Sequence, residues 1–352
     1  MTQLSLPDTM ALFPWGERRV NPLRHDVVPE SGTWIASFES FETDTKRKVV
    51  EEDFARLRVS CDLNNFFFLY DDLTDGKSSK EIMKLNSIVM DALRNPTKTR
   101  SDGEWPGGEL ARQFWERTIK VATQSAQRQF LRTFEEWLQS VVDQAVDRET
   151  EHKRDILSYM KLRRITVGLL PSLAVVGLEV DFPDEVLYHP TIQKMSEYCA
   201  DLIAIDNDII SYPKEKAAGD DQHNLVSLAR EKFSLDDQGA INWAAGFHNS
   251  IVRELTHLLA NVPRFSQPID QLVDDYVDGM GNWVFSNYIW SFESRRYFGN
   301  RGLEVLKTKT IPSSLFFSPH TVLATRRGSN QTLRDRILCY YSVMIAKHFS
   351  SQ

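Results

Sequence analysis

Phe66-Phe67-Phe68-Leu69-Tyr70-Asp71-Asp72-Leu73-Thr74-Asp75 is an aromatic run that turns abruptly into carboxylates. It closes a stretch, Val49 to Tyr70, that holds neither glycine nor proline. Phe54, Leu57, Cys61 and Phe68 recur in that stretch at three- or four-residue steps and their sums, the period of a helix face. The length corresponds to about six turns at roughly 3.6 residues per turn. Outward from it the same period predicts helices over Leu110–Val146, Ile156–Val176 with a break at Pro171, Glu185–Tyr212, Asn242–Leu259 and Ile269–Tyr297. Glycine and proline punctuate these at Asp102–Gly108, Phe182–Asp184, Ala218–Asp221 and Val262–Arg264. No comparable set of alternating β-branched strands appears, so the expectation is an all-α, single-domain bundle of long helices packed side by side.

The ends differ in character. Residues 1–32 are rich in proline, glycine and charge and read as an N-terminal strap, residues 33–310 as the helical domain, and residues 311–352 as a C-terminal extension. Within the extension Ile311-Pro312-Ser313-Ser314 and Arg326–Gln331 read as loop, and Thr332–Phe349 as one short isolated helix. The chain has 352 residues, 41% of them hydrophobic, which is enough for a large core and excludes overall disorder. Lys plus Arg total 42 against 49 Asp plus Glu, and the resulting net charge of −7 argues against a general nucleic-acid binder. Cys61, Cys199 and Cys339 are few and far apart, offering neither a disulfide framework nor a CxxC metal site, as in a reducing compartment. The opening residues Met1–Asp8 lack a basic region followed by an apolar stretch. The apolar run Val167–Leu178 is too short to span a bilayer and contains Pro171. The expectation is a soluble, cytoplasmic protein with no stable membrane insertion; the sequence fixes no oligomeric state.

Asp71 and Asp75 are four residues apart, which on a helix puts both carboxylates on one face about 6 Å apart along the axis. Such a pair repels itself unless solvent or a hard divalent cation intervenes, and oxygen-only ligands favour magnesium over zinc. The competing reading is a solvated acidic helix end. Further along, Asp206-Asn207-Asp208-Ile209-Ile210-Ser211-Tyr212-Pro213-Lys214-Glu215 places Asn207, Ser211 and Glu215 at i, i+4 and i+8, aligning an amide oxygen, a hydroxyl and a carboxylate along one stripe. Pro213 should end or bend that helix, so the stripe continues only through a local distortion. Here the competing reading makes Asn207 and Ser211 capping groups and Glu215 with Lys214 surface charge.

A cation held by few protein charges completes its shell with phosphate oxygens, and basic residues should help hold the phosphate. Two candidates are Lys161-Leu162-Arg163-Arg164-Ile165-Thr166-Val167-Gly168 and Ser294-Arg295-Arg296-Tyr297-Phe298. Adjacent arginines on a helix point in different directions, so at most one of each pair should face a common cavity.

Asp71-Asp72-Leu73-Thr74-Asp75, Asn207–Glu215 and Arg296-Tyr297 resemble, in order and separation, the aspartate-rich, NSE and RY motifs of class I terpene synthases. Arg163–Gly168 resembles the diphosphate-sensing arginine region of that family. Pro14–Pro22 and Arg296-Tyr297-Phe298-Gly299 are similar to segments of fungal sesquiterpene synthases. The resemblance spans residues 14–310. It implies a helical bundle with a central active-site cavity, three magnesium ions with Mn²⁺ able to substitute, and a linear isoprenyl diphosphate, with farnesyl diphosphate expected. It further implies that Asp71 bridges two ions with Asp75 on the same motif, and that Asn207, Ser211 and Glu215 hold the third. Arg164 is the preferred diphosphate sensor, because Gly168 four residues on resembles the helix-break residue of the family, with Arg163 second. Arg296, Tyr297 and Lys214 would contact or neutralise the diphosphate. Beside that resemblance, a carbocation needs walls that are electron-rich yet poor nucleophiles, which aromatic faces supply. Phe66, Phe67, Phe68, Trp283, Phe285 and Trp290 are the candidates, with Phe67 foremost because it lies four residues before Asp71; the competing reading places most of these rings in the core.

The rival enzyme is a chain-elongating prenyltransferase, which would carry a second aspartate-rich motif where this chain has Asn207, Ser211 and Glu215. A non-catalytic helical interaction protein derived from the same fold is the rival of another class. The absence of HExxH, GxGxxG and a P-loop sets aside metalloprotease and nucleotide-binding readings.

Overall fold

The computed structural model describes residues 4–16, 30, 31, 33, 34, 55–74, 76–219 and 221–311, with backbone only at 55–57, 72 and 295. Asp75, most of the expected strap, the start of the Val49–Tyr70 stretch and the extension from residue 312, including Thr332–Phe349, lie outside the described residues.

Helix α1 (Ala55–Thr74) carries the aromatic run and continues past Asp71. Helix α2 (Ser79–Arg94) follows after a capping box in which Ser78 and Glu81 satisfy each other's backbone donors. Expected as one helix, Leu110–Val146 is instead split into α3 (Gly107–Thr118) and α4 (Gln124–Glu149). Thr123 makes the split without glycine or proline: its side chain caps α4, and its backbone N–H donates to Leu178 O at 2.9 Å.

The next break also moves. Helix α5 (Ile156–Thr166) ends before Gly168, which adopts φ +75°, and α6 (Leu169–Val176) begins immediately after it. Pro171 does not interrupt α6, because it sits in the first turn, where backbone N–H groups have no intrahelical partner to lose. A short α7 (Asp184–Leu187) precedes the long α8 (Pro190–Ala218), then come α9 (Leu225–Phe233) and α10 (Asp237–Leu259). Helix α11 (Ile269–Glu293) stops at Ser294, so Arg296 and Tyr297 stand on a separate short helix, α12 (Arg295–Phe298), followed by α13 (Gly302–Thr308).

Helix α8 is the central element, packed against α10, α11, α5 and α9. Its middle, from Cys199 to Pro213, is buried except at Asn207, which is half-buried. Rings from three helices form a continuous core: Trp115, Phe130 and Phe134 stack at 4.9 and 5.1 Å, and Phe66 meets Phe134 at 5.5 Å. One turn before Phe66, the carboxylate of fully buried Asp62 accepts from Arg58 Nε at 2.8 Å, Arg117 Nη2 at 2.6 Å and Ser31 Oγ at 2.5 Å.

The described N-terminal residues are docked along the bundle. Strand β1 (Leu4–Ser5) pairs antiparallel with β2 (Thr310–Ile311), setting Leu4 opposite Ile311. Gln238 on α10 exchanges two hydrogen bonds with the Ser5 backbone, Thr9 Oγ1 donates to Asp206 on α8 at 2.7 Å, and Trp15 Nε1 donates to Asp278 on α11 at 3.2 Å. Ile311, placed by the sequence in the extension, is fully buried by this pairing. Among the described residues no helix is long and apolar enough to cross a membrane.

Candidate active site

The stripe on α8 is continuous. Pro213 lies inside the helix, which runs on to Ala218, against the expectation of a break. Losing one backbone donor costs a helix its bond to the carbonyl four residues earlier. Here side chains on either side of the proline are anchored to neighbouring elements. Tyr212 OH and Lys216 Nζ donate to Asp237 at 2.7 and 2.6 Å, and Glu215 Oε2 accepts from Asn224 Nδ2 at 2.9 Å. Asn207, Ser211 and Glu215 therefore keep their helical spacing along one side of α8.

Of the two candidate arginines, Arg163 reaches this stripe. Its Nη2 donates to Asn207 Oδ1 at 2.5 Å and its Nε to Asp208 Oδ1 at 3.1 Å. Burial, the largest single influence, would lower its pKa, but Asp208, Tyr159 and Glu215 together outweigh it and raise it. Arg164, the sequence's first choice, instead forks onto Asp201 at 2.9 and 2.8 Å and pairs with Glu197 at 3.0 Å, about two and three turns before Asn207 on α8. The physical reason is rotation: neighbours on a helix point about 100° apart, and the α5–α8 packing gives the NSE face to Arg163.

Asp208, buried between these groups, also accepts from Tyr159 OH at 2.7 Å and from the Leu225 N–H at 3.0 Å. Glu215 is pushed above the ordinary glutamate range, first by burial and then by Asp208, with Asn224 and Ser211 hydrogen bonds opposing the shift. Tyr159, Asp208 in this supporting role, and Asn224 were not singled out from sequence. Asn224 did leave a signal there, an N-cap residue type directly before the apolar Leu225-Val226.

The end of α1 and the α8 stripe meet through one dipeptide. Arg296 Nη2 lies 3.5 Å from Asp71 Oδ2, while the next side chain, Tyr297, accepts at its hydroxyl a hydrogen bond from Asn207 Nδ2 at 2.7 Å. Asp71 is mostly solvent-exposed, as a residue at the mouth of a site would be. Tyr297 is buried, which raises its pKa. The guanidinium of Arg296 stands 5.5 Å over the Phe68 ring, Phe68 lies 5.6 Å from Trp290, and Trp290 meets Tyr297 edge-on at 6.2 Å. Lys214 is half-buried on α8 next to Glu215.

The three phenylalanines diverge, as adjacent helix positions must. Phe66 is a core ring and not a wall candidate, at 1% exposure against Phe134 and Tyr70. Phe68 joins Arg296 and Trp290. Phe67 is half-buried 4.6 Å from Trp137, and a Cβ on Gly168 would come within 3.3 Å of it, so the α5–α6 break abuts the ring one turn before Asp71. Trp283 is buried in the core, and Phe285 packs partly buried against it.

Among the described residues no group of three or more His, Cys, Asp or Glu side chains forms a metal-binding cluster. The α8 donors are an amide, a hydroxyl and one carboxylate, and Asp75 lies outside the described residues. The donor set nonetheless suits a hard divalent cation. All three side chains offer oxygen, Asn207 Oδ1 and the Glu215 carboxylate keep lone pairs beyond their present hydrogen bonds, and the half-buried Glu215 carboxylate stands in surroundings that an added positive charge would relieve.

A helical bundle that brings these motifs to one place has the architecture of the class I terpene synthases. Germacradien-4-ol synthase from Streptomyces citricolor superposes with a TM-score of 0.64 at 18% identity, covering 82% of this chain and 98% of that one. An α-eudesmol synthase gives 0.66, also at 18%, covering 79% and 97%. The family model described as terpene synthase family 2, C-terminal metal binding, matches residues 62–254, and the chain belongs to that family. It is 43% identical over 323 residues to a Delta(6)-protoilludene synthase of Stereum hirsutum, covering 88% of this chain and 87% of the relative. It is 39% identical over 320 residues to sesquiterpene synthase 14 of Postia placenta, covering 87% and 91%.

Proposed function

We propose that this terpene synthase ionises farnesyl diphosphate and cyclises the resulting carbocation to a sesquiterpene, releasing diphosphate. The observation that carries the reading is the Arg296-Tyr297 dipeptide, which touches Asp71 with one side chain and Asn207 with the next. When bound, Mg²⁺, three ions by family resemblance and replaceable by Mn²⁺, would neutralise the diphosphate and strengthen it as a leaving group. Asp71 and Asp75 would hold ions at the α1 end, and Asn207, Ser211 and Glu215 would hold one on α8.

Arg163, Arg296 and Lys214 supply fixed positive charge where the departing oxygen gains its negative charge, with Tyr297 OH as a further donor. Arg164 acts behind Arg163, held by Asp201. As the C–O bond breaks, its electron pair leaves with the diphosphate. Phe67, Phe68 and Trp290 present faces that steady the cation without capturing it, until loss of a proton ends the sequence. The relatives' names make Delta(6)-protoilludene the first product to look for.

Purified protein incubated with geranyl, farnesyl and geranylgeranyl diphosphates, with Mg²⁺ or with EDTA, tests this by gas chromatography. A cyclic C15 hydrocarbon that forms only with Mg²⁺ and farnesyl diphosphate is expected. A chain-extended prenyl product would favour the prenyltransferase, and no diphosphate release from any substrate would favour a binding protein.

A further inference from the structure

We infer that Asn224 is a positioning residue for the cation site on α8, setting the carboxylate of Glu215 and bracing the helix across Pro213. The inference rests on the reading of Asn207, Ser211 and Glu215 as cation ligands.

Asn224 is fully buried at the N-cap of α9, outside the motif it serves. Its amide oxygen accepts from the Val226 N–H at 2.8 Å, which caps α9 and fixes which way the amide points. The NH₂ group then faces α8, with Asp208 O and Glu215 Oε2 both at 2.9 Å and Ser211 Oγ at 3.5 Å. An amide nitrogen has two hydrogens, so the two shorter contacts take them. One of these partners lies before the proline and the other after it. The side chain thus ties together the two turns of α8 that the missing Pro213 donor would loosen.

The chemical consequence falls on Glu215. With Oε2 accepting from Asn224 and Ser211 adding a second hydrogen bond, its rotamer is held and the carboxylate keeps lone pairs for a cation. A ligating carboxylate oriented by an outer hydrogen bond binds metal more tightly than one that must be ordered on binding. The arrangement also sorts functions within one side chain: the oxygen serves the fold and the nitrogen serves the site.

That division supplies the test. Asn224→Ser keeps a good N-cap but is too short to reach Glu215. Asn224→Thr, with the same capping hydroxyl and more volume, is the second route if the first folds poorly. Mn²⁺ binding in the presence of inorganic diphosphate is followed by electron paramagnetic resonance, and Mg²⁺ activation by turnover of farnesyl diphosphate. The expected result is a rise of about 10–100-fold in the metal concentration for half-saturation, with kcat at saturating metal within a few-fold of wild type and a melting midpoint lowered by loss of the brace across Pro213. In a Glu215→Ala background, Asn224→Ser should add little further loss of Mn²⁺ affinity. An unchanged metal requirement, or the same loss with Glu215 absent, would overturn the inference. Wild-type protein that binds no Mn²⁺ and turns over no substrate would instead sink the functional reading beneath it.

Discussion

Replacing Gly168 by alanine perturbs the joint between the arginine helix and the aromatic ring nearest Asp71. Gly168 has φ +75° and ψ 10°, a left-handed conformation that costs a residue with a Cβ about 1–2 kcal/mol. The added carbon would lie 3.3 and 3.4 Å from two atoms of the Phe67 ring, so the ring must move by a few tenths of an ångström. It has little room to do so, with Trp137 at 4.6 Å and Phe134 at 6.1 Å. At roughly 2–4 °C per kcal/mol, the scale for domains of about 150–250 residues and smaller for longer chains, the strain alone should lower the melting midpoint by at most about 8 °C. Because Phe67 stands one turn before Asp71, the displacement should also change kcat and the distribution of products. Thermal unfolding by circular dichroism and product profiling by gas chromatography read the two effects. Asn tolerates the left-handed region better than Ala, so Gly168→Asn should recover part of the midpoint while leaving the products altered. A wild-type midpoint together with wild-type products in Gly168→Ala would refute the reasoning.

Arg163→Gln should lower kcat by about 10²–10³-fold, the scale seen for losing one fixed transition-state donor, and Arg164→Gln by clearly less; equal losses in steady-state assays would contradict the assignment by geometry. Asp62→Asn leaves buried Arg58 with Glu30 alone and takes the Asp62 carboxylate from half-buried Arg117, and should destabilise the fold by at most about 3–5 kcal/mol in urea titrations, with near-wild-type activity in whatever stays folded. Glu215 has a raised folded pKa, so in metal-free protein the stability should fall as pH rises from the ordinary glutamate range through that folded value. Mg²⁺ should restore the loss at high pH, and Glu215→Gln should reduce both the slope and the restoration when melting is followed against pH, leaving the share of Asp201, whose carboxyl burial also pushes up.

Much of the site was legible because its residues obey short-range spacing. Asn207, Ser211 and Glu215 lie four residues apart, and helical geometry carries that pattern onto one side of α8 whatever surrounds it. Where tertiary contacts decide, the sequence misled. Pro213 reads as a breaker, yet anchors on Asp237 and Asn224 keep α8 whole. By period Pro171 reads as the break after the arginines, while the family resemblance marks Gly168, where the break does fall, since a proline in a first turn has no bond to forfeit. Arg163 and Arg164 are adjacent and identical, and only the packing of α5 on α8 tells them apart. Helix α2 was not among the expected helices, although Ser78, Glu81 and the apolar Ile82, Val89, Met90 and Leu93 carry its cap and period. The pairing of Leu4–Ser5 with Thr310–Ile311 had no local signal, because two-residue strands from opposite ends of the chain carry no period.

The central claim is that the end of α1 and the stripe on α8 line one mouth and bind divalent cations there. Crystals grown with Mn²⁺ and inorganic diphosphate, measured for anomalous scattering at a wavelength where manganese contributes, address it directly. The account predicts peaks beside Asn207, Ser211 and Glu215 and beside Asp71, with the diphosphate between them and Arg163, Arg296 and Tyr297 in contact with it. Manganese confined to other parts of the molecule, with these side chains unliganded in protein that still turns over substrate, would contradict it.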